Sequence, residues 1–131
     1  MANAFKSVTS GSIGTTLVTV YTCPASTTAI VLGASMANTA TNPIGGSIKL
    51  AKNGSSAGQD DVFVVKAAPV PAGSSIEVMS GNKVVMEASD VLQFQSDTAS
   101  SLDSIVSVLE ITKWHISENH PTQLVRMLGL L

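Results

Sequence analysis

The sequence predicts an all-β protein, an antiparallel β-sandwich of jelly-roll-like form with about eight strands and a C-terminal extension. Three observations predict this fold. Helix signals are nearly absent through residue 112. Aliphatic runs recur about every 8–12 residues between clusters of Gly, Pro, Asn and Ser, which is the spacing typical of a sandwich or barrel. This spacing ends after residue 112, so we expect a β-sandwich domain over residues 1–112 and an extension over 113–131.

Eight segments have the composition and alternation of strands. In the first segment, Leu17, Thr19 and Tyr21 share one face, and the intervening valines share the other. The second segment is apolar on both faces, which predicts a strand that is either central in its sheet or covered by a partner. The predicted strands are residues 15–21, 27–37, 46–52, 62–67, 76–79, 84–87, 91–95 and 102–112.

The later segments follow the same alternation. The third segment puts Ile48 and Leu50 on one face. In the seventh, Leu92 and Phe94 face away from two glutamines. The eighth, LDSIVSVLEIT, is the strongest strand because β-branched or aliphatic residues occupy most of its positions.

Turn residues separate these strands. Asn53 and Gly54 begin NGSSAGQDD, which we expect to be an exposed hairpin loop. In APVPAGSS, Pro69 and Pro71 have no backbone N–H to give to a sheet. The latter segment is therefore predicted to be a rigid turn, with its prolines at a sheet edge or in a connection.

The charge balance excludes some partners. Only 12% of the 131 residues are charged, the net charge is −2, and the hydrophobic fraction is 44%. Neither nucleic acid nor an anionic membrane would be attracted to such a surface, and no apolar run approaches the ~20 residues of a spanning helix. We expect a soluble protein made in the cytoplasm. Because small soluble domains usually carry more charge outside, part of the surface is expected to be covered by other protein.

The reactive residue types form no catalytic pattern. Cys23 is the only cysteine, which excludes an intrachain disulfide, and we expect it to be a small, semi-buried hydrophobe. His115 and His120 lack the further ligands of a zinc site and are interpreted as surface or packing residues. No nucleophile elbow or phosphate-binding loop is present. The sequence predicts no enzyme activity, no catalytic residue, no metal and no cofactor.

The acidic residues are interpreted structurally. Aspartates lie in loops, where capping of turns is favoured over a calcium site in SDTASSLD. Single glutamates lie on strands and are expected at solvent or interface positions, without an acid–base pair. The residues concerned are Asp60, Asp61, Asp90, Asp97, Asp103, Glu77, Glu87 and Glu110.

The extension KWHISENHPTQLVRMLGLL has a different character from the strands. Pro121 is a candidate first helical residue, and Leu124, Leu128 and Leu131 would then share a helix face. Because so short a helix is marginal alone, the segment needs a surface to pack on, as a short helix or an extended docking arm. The predicted interface residues are Trp114, Leu124, Val125, Met127, Leu128 and Leu131, with Ile30, Val31 and Leu32 supporting the core.

Three phrases, in order, carry a resemblance to a known family. TTLVTVYTCPASTTAIVLGASMANT, VPAGSSIEVMSGNKVVMEASDVLQFQS and LDSIVSVLEIT together resemble small virion structural proteins of tailed bacteriophages, over roughly residues 15–112. Ser89 stands where that family usually has glycine, so its turn is expected to use a conformation tolerable to a side chain. Family members tend to stop near Thr112, so the extension is expected to make a contact particular to this chain.

The resemblance implies a β-sandwich protein of the virion without enzyme activity. We expect it to bind other virion proteins and to form a homo-oligomer. Our first hypothesis is a capsid decoration or cement protein that stabilises the shell through symmetric contacts with the major capsid protein. The alternative is a tail, neck or baseplate component. A second alternative is a carbohydrate-binding module, for which Trp114 and Tyr21 are the main candidates for stacking on sugars.

Overall fold

The computed structural model describes residues 2–53, 58–79 and 83–112, which form nine β-strands. None of these residues forms a helix that could span a membrane. The extension 113–131, residues 54–57 of the predicted hairpin loop and residues 80–82 lie outside the described residues. The strands are β1 (Ala2–Ile13), β2 (Val18–Thr22), β3 (Thr27–Asn38), β4 (Ile44–Ala51), β5 (Val62–Val70), β6 (Ser75–Glu77), β7 (Val84–Met86), β8 (Val91–Ser96) and β9 (Leu102–Thr112).

The strands pair as one long hairpin folded over on itself. β1 pairs with β9, β2 with β8, β4 with β5, and β3 with both β6 and β7, all antiparallel. Further pairing of β3 with β9 and of β4 with β8 completes two sheets. One has the order β1-β9-β3 with β6 and β7 beyond β3, and the other has the order β2-β8-β4-β5. This nested pairing in two packed sheets confirms the predicted antiparallel, jelly-roll-like sandwich.

The hydrophobic core lies between the two sheets. Alternate residues of β8 and β9 point into it, and Leu92 and Phe94 share the inward face of β8, opposite to the two glutamines as predicted. In β3 the same alternation places Val31 in the core, whereas Ile30 and Leu32 are only half-buried. The largest fully buried apolar side chains are Phe94, Ile13, Met36, Ile48, Met86, Leu92, Leu102, Val31, Val70, Val106 and Val108.

Strand β3 is central in its sheet, which is one of the two alternatives that its sequence left open. It lies between β9 on one side and the two short strands β6 and β7 on the other. Its inner face is buried, and its outer face is only partly covered. The apolar residues of the outer face therefore belong to a surface of the sandwich.

A β-bulge in β2 makes the predicted alternation wrong at one point. The register with β8 shifts between Thr19 and Tyr21, so the intervening residue is an insertion in the ladder. As a result Val20 and Tyr21, which the alternation put on opposite faces, are both buried. Sequence alternation cannot indicate such an insertion, because it assumes two residues per repeat throughout.

One further strand and one strand boundary differ from the predictions. β1 was not predicted, and it adds the ninth strand by pairing with β9 along nearly its whole length. β5 continues to Val70, through part of the predicted rigid turn. Because β5 is an edge strand, Pro69 lies at a sheet edge as expected. The turn itself follows at Pro71, where the Ser74 N–H donates to the Pro71 carbonyl at 3.1 Å and Gly73 has a φ of +68°.

The turn between β7 and β8 contradicts the expectation for Ser89. Its φ is +74°, in the left-handed region that favours glycine. The turn is closed by the Asp90 N–H, which donates to the Glu87 carbonyl at 3.0 Å, and the Ser89 N–H donates to the Cys23 carbonyl at 2.9 Å. These backbone bonds hold the serine in an unfavourable conformation.

Ser89→Gly is therefore expected to raise the free energy of unfolding by about 0.5–1 kcal/mol, since relief of the left-handed strain exceeds the extra backbone entropy of glycine. The matched control is Ala88→Gly in the same turn, which has no positive φ to relieve and should lower stability. Urea denaturation of both variants measures the difference. Equal destabilisation by the two substitutions would contradict the strain at Ser89.

Candidate interaction surface

An apolar row crosses the outer face of the five-stranded sheet. Phe5 of β1 pairs with Leu109 of β9, Leu109 pairs with Ile30 of β3, and Ile30 pairs with Val85 of β7. Directly paired residues share a face of a sheet. We call these four residues the outer row. Its two ends are open to solvent, with 76% of Phe5 and 54% of Val85 exposed.

The outer row is part of a larger apolar area on β9. Ile105 and Ile111 alternate with inward residues on the same strand as Leu109, so they lie on the same outer face. Ile105 is 44% exposed. Three of the five large hydrophobic residues that are exposed within the described ranges, namely Phe5, Val85 and Ile105, thus lie on this one face.

The other sheet presents a different surface. Its exposed hydrophobic residues, Val62 and Phe63, lie on the edge strand β5. The ammonium groups of Lys49 and Lys66 lie 5.7 and 5.0 Å from the centre of the Phe63 ring, within the range of cation–π contacts. The outer row has no such cationic cover in the described residues, so the two faces differ in chemistry.

A buried carboxylate positions the strand that carries Phe5. Glu110 points inward from β9 and is only 6% exposed. One of its oxygens lies 2.8 Å from the Lys6 ammonium of β1, and the other accepts a hydrogen bond of 2.5 Å from the Tyr21 hydroxyl of β2. The two contacts join β9 to β1 and to β2 of the other sheet, and they hold β1 in place at Lys6, the residue after Phe5.

The same contacts govern protonation in this network. The hydrogen bond from Lys6, followed by that from Tyr21, holds the pKa of Glu110 below its ordinary value despite burial. Burial, reinforced by the hydrogen bond to Glu110, raises the pKa of Tyr21. The expectation that Glu110 occupies a solvent or interface position is wrong. So is the suggestion that Tyr21 offers a ring to a sugar, because its ring is buried.

A second buried carboxylate positions the other end of the row. Asp90 is fully buried just after the β7–β8 turn, and its carboxylate accepts the Glu87 N–H at 2.9 Å. The Lys52 ammonium, almost fully buried, donates to Asp90 at 2.6 Å and lies 3.4 Å from Glu87. The hydrogen bond to Asp90 raises the pKa of Lys52. This cluster ties the end of β4 to the turn that follows Val85.

Asp61 and Asp97 act on loops, in agreement with the sequence interpretation, whereas Asp103 lies on β9 and contacts the β-bulge of β1. Asp61 accepts the Lys52 N–H at 2.8 Å, and Asp103 accepts the Ser12 N–H at 3.0 Å. Asp97 accepts the Thr98 hydroxyl at 2.9 Å, and a backbone N–H from Gly45 lowers its pKa. Within the described ranges, no three His, Cys, Asp or Glu side chains are grouped as a metal site would need.

Cys23 is buried more deeply than predicted, at 1% exposure. Its thiol contacts the Thr27 carbonyl at 3.3 Å, and burial raises its pKa. Because the thiolate is the reactive form, both effects make Cys23 a poor nucleophile. The thiol is also inaccessible to another subunit in this structure.

A shallow cleft of about 240 Å³ lies on the surface of the sandwich. Its lining side chains are uncharged except for that of Asp97, whose carboxylate is already engaged by the backbone and by Thr98. The Ser47 hydroxyl accepts the Ala67 N–H at 2.9 Å, and the Ser96 hydroxyl lies 2.6 Å from that of Ser101. The lining residues are Thr15, Gly45, Ser47, Ala67, Gln95, Ser96 and Asp97.

The residues predicted from sequence for the interface lie outside the described residues. The same holds for His115 and His120. The sequence interpretation missed Phe5, Val85 and Ile105, since it sought contact residues in the extension and these three lie far apart in the chain. Only the register of four strands brings them onto one face. The predicted interface residues concerned are Trp114, Leu124, Val125, Met127, Leu128 and Leu131.

Comparison with known proteins supports the fold. No family model and no curated protein matches the chain. A solved chain is similar, from work reporting that Bacillus endospore appendages form a novel family of disulfide-linked pili. The similarity covers 86% of this chain and 88% of the solved one, with a TM-score of 0.51 and 15% sequence identity. At that identity, the likeness shows a shared β-sandwich fold.

The Glu110 network predicts a specific dependence of stability on pH. A carboxylate whose pKa is lowered by folding stabilises the folded state at neutral pH, and that stabilisation is lost as the pH falls below about 4.5, the ordinary value, towards the lower folded-state pKa. Glu110→Gln should lower the free energy of unfolding by about 1–2 kcal/mol at pH 7. The loss is no larger because Lys6 is half exposed and the hydrogen bond from Tyr21 is only weakened.

The test is urea denaturation of the wild type and Glu110→Gln between pH 3 and pH 7. The difference in stability should shrink as the pH falls, because the wild type loses its advantage. Asp60→Asn, which removes an exposed carboxylate, is the control for a general change in charge. A stability difference that is the same at pH 3 and pH 7 would contradict the assigned role of Glu110.

Proposed function

We propose that this chain is a non-enzymatic structural subunit, which assembles with copies of itself through the outer face of the five-stranded sheet. The outer row carries this proposal. Monomeric soluble proteins seldom expose contiguous apolar patches of large size, and such patches commonly mark protein interfaces. Phe5 and Val85, at the two ends of the row, leave most of their side chains in water unless a second surface covers them.

The energetics of such an assembly are simple. Covering apolar surface contributes roughly 25 cal/mol per Å² before the costs of association. In a closed symmetric ring, each subunit repeats the same contact, so the favourable free energy is gained once for every interface. A rigid sandwich suits this role because little conformational entropy is lost when its strands are covered.

Within this class, the place we propose first is the virion of a tailed bacteriophage, as a capsid decoration or cement protein. The ordered sequence phrases over roughly residues 15–112 support that place by their resemblance to small virion proteins. A tail, neck or baseplate component would use the same surface in the same way. Partners would then be the major capsid protein or tail proteins, in addition to copies of the chain.

A second candidate is the subunit of a pilus-like appendage, favoured by the similarity in fold to the chain from the study of Bacillus endospore appendages. A polymer linked throughout by disulfides needs at least two cysteines per subunit. This chain has Cys23 alone, and its thiol is buried. An appendage built from this chain would therefore be held together without disulfides.

Self-association is tested by sedimentation velocity of the full chain over a wide range of concentration, with a matched pair of variants. Val85→Asp puts a charge into the outer row, whereas Val62→Asp puts one at a valine of similar exposure, 51%, on the opposite sheet. Val85→Asp should weaken association at least about tenfold, or about 1.4 kcal/mol, and Val62→Asp should leave it unchanged. A wild-type chain that stays monomeric throughout would contradict the proposal.

Redox conditions provide a second test. Assembly should be unchanged by dithiothreitol and by Cys23→Ala, because the contact is apolar and the thiol is buried. Electron microscopy of the same samples distinguishes closed rings, as expected of a decoration protein, from filaments, as expected of an appendage. Disassembly on reduction would contradict the non-covalent mechanism.

A further inference from the structure

We propose that the surface covering the outer row is the extension of a neighbouring copy, residues 113–131, which packs its leucine face across the row. This inference rests on the proposed self-assembly and names the contact that produces it. It follows from where the extension leaves the sheet, from its length and from its pattern of apolar residues.

The extension begins on the face that needs cover. β9 lies inside the five-stranded sheet, between β1 and β3, and ends at Thr112. Ile111, the residue before it, is on the outer face together with Leu109 of the outer row. The extension thus follows directly on the strand whose outer side chains, Ile111 and Leu109, belong to the apolar face.

The length of the apolar part of the extension matches the row. If residues 121–131 form the helix that their spacing predicts, it is about 16 Å long. The outer row spans four strands, and three inter-strand gaps of about 4.8 Å make about 14 Å. In such a helix, Leu124, Leu128 and Leu131 would share one face, and Leu130 would lie away from that face.

The direction of the chain favours a neighbour over the same molecule. Leu109 lies three residues before Thr112, so the row is about 10 Å back along the strand from the point where the extension leaves. To cover its own row, the chain would have to reverse between residues 113 and 120. A segment that kept the direction of β9 would reach another subunit instead, and an exchanged arm of this kind would link copies into an assembly.

A pair of variants in the extension tests which residues make the contact. In sedimentation velocity of the full chain, Leu128→Asp should weaken self-association at least tenfold, whereas Leu130→Asp, the same change on the opposite helix face, should have little effect. If the wild type associates and Leu128→Asp associates equally well, the arm contact is overturned while the proposed self-assembly stands. If the wild type does not associate, the proposed function itself falls.

Disulfide trapping then distinguishes a neighbouring copy from the same chain. In a Cys23→Ala background, Val85→Cys combined with Leu128→Cys should give crosslinked dimers and larger species on oxidation, visible in non-reducing gels. The control, Val62→Cys with Leu128→Cys, should give few. A crosslink confined within monomers of the first double variant would overturn the exchange, because it would place the extension on its own sheet.

Discussion

Pairing of β1 with β9, the first strand with the last, is the constraint on which the rest of this structure depends. It puts β9 between two partners, and the surface of β9 becomes the middle of a broad sheet face. The pairing also brings Phe5 beside Leu109, across about a hundred residues of chain. Without β1, the apolar face would be narrower and would end at β9. The candidate interaction surface is thus a product of long-range topology.

Ion pairs to buried carboxylates support this arrangement at both ends of the outer row. Glu110 connects β9 to Lys6 of β1, and Asp90 connects the turn after β7 to Lys52. A shifted register would separate each carboxylate from its ammonium partner and leave a buried charge without compensation, which disfavours the shift. Some of the few charged residues of this chain thus lie where they help to fix the positions of the strands. The apolar row between them is the surface that we propose for contacts with other protein.

The sequence predicted the sandwich well where strands alternate regularly, and β9 matches its predicted segment at both ends. β1 was not predicted because the polar residues Lys6 and Ser10 occupy inward positions, so that the strand lacks a clear apolar alternation. The bulge at Val20 and the left-handed conformation of Ser89 were not predicted either, because both depend on contacts with other parts of the chain. The candidate surface could not be predicted at all, because it exists only through the register of four strands.

The most direct measurement of the central claim is hydroxyl-radical footprinting of the wild-type protein across a range of concentration, with two phenylalanines as paired reporters. Phe5 lies at one end of the outer row, and Phe63 is an exposed phenylalanine on the opposite sheet. The account predicts that oxidation of Phe5 falls as the concentration rises, while oxidation of Phe63 stays constant. Oxidation of Phe5 that does not change with concentration, in a sample that demonstrably assembles, would contradict it.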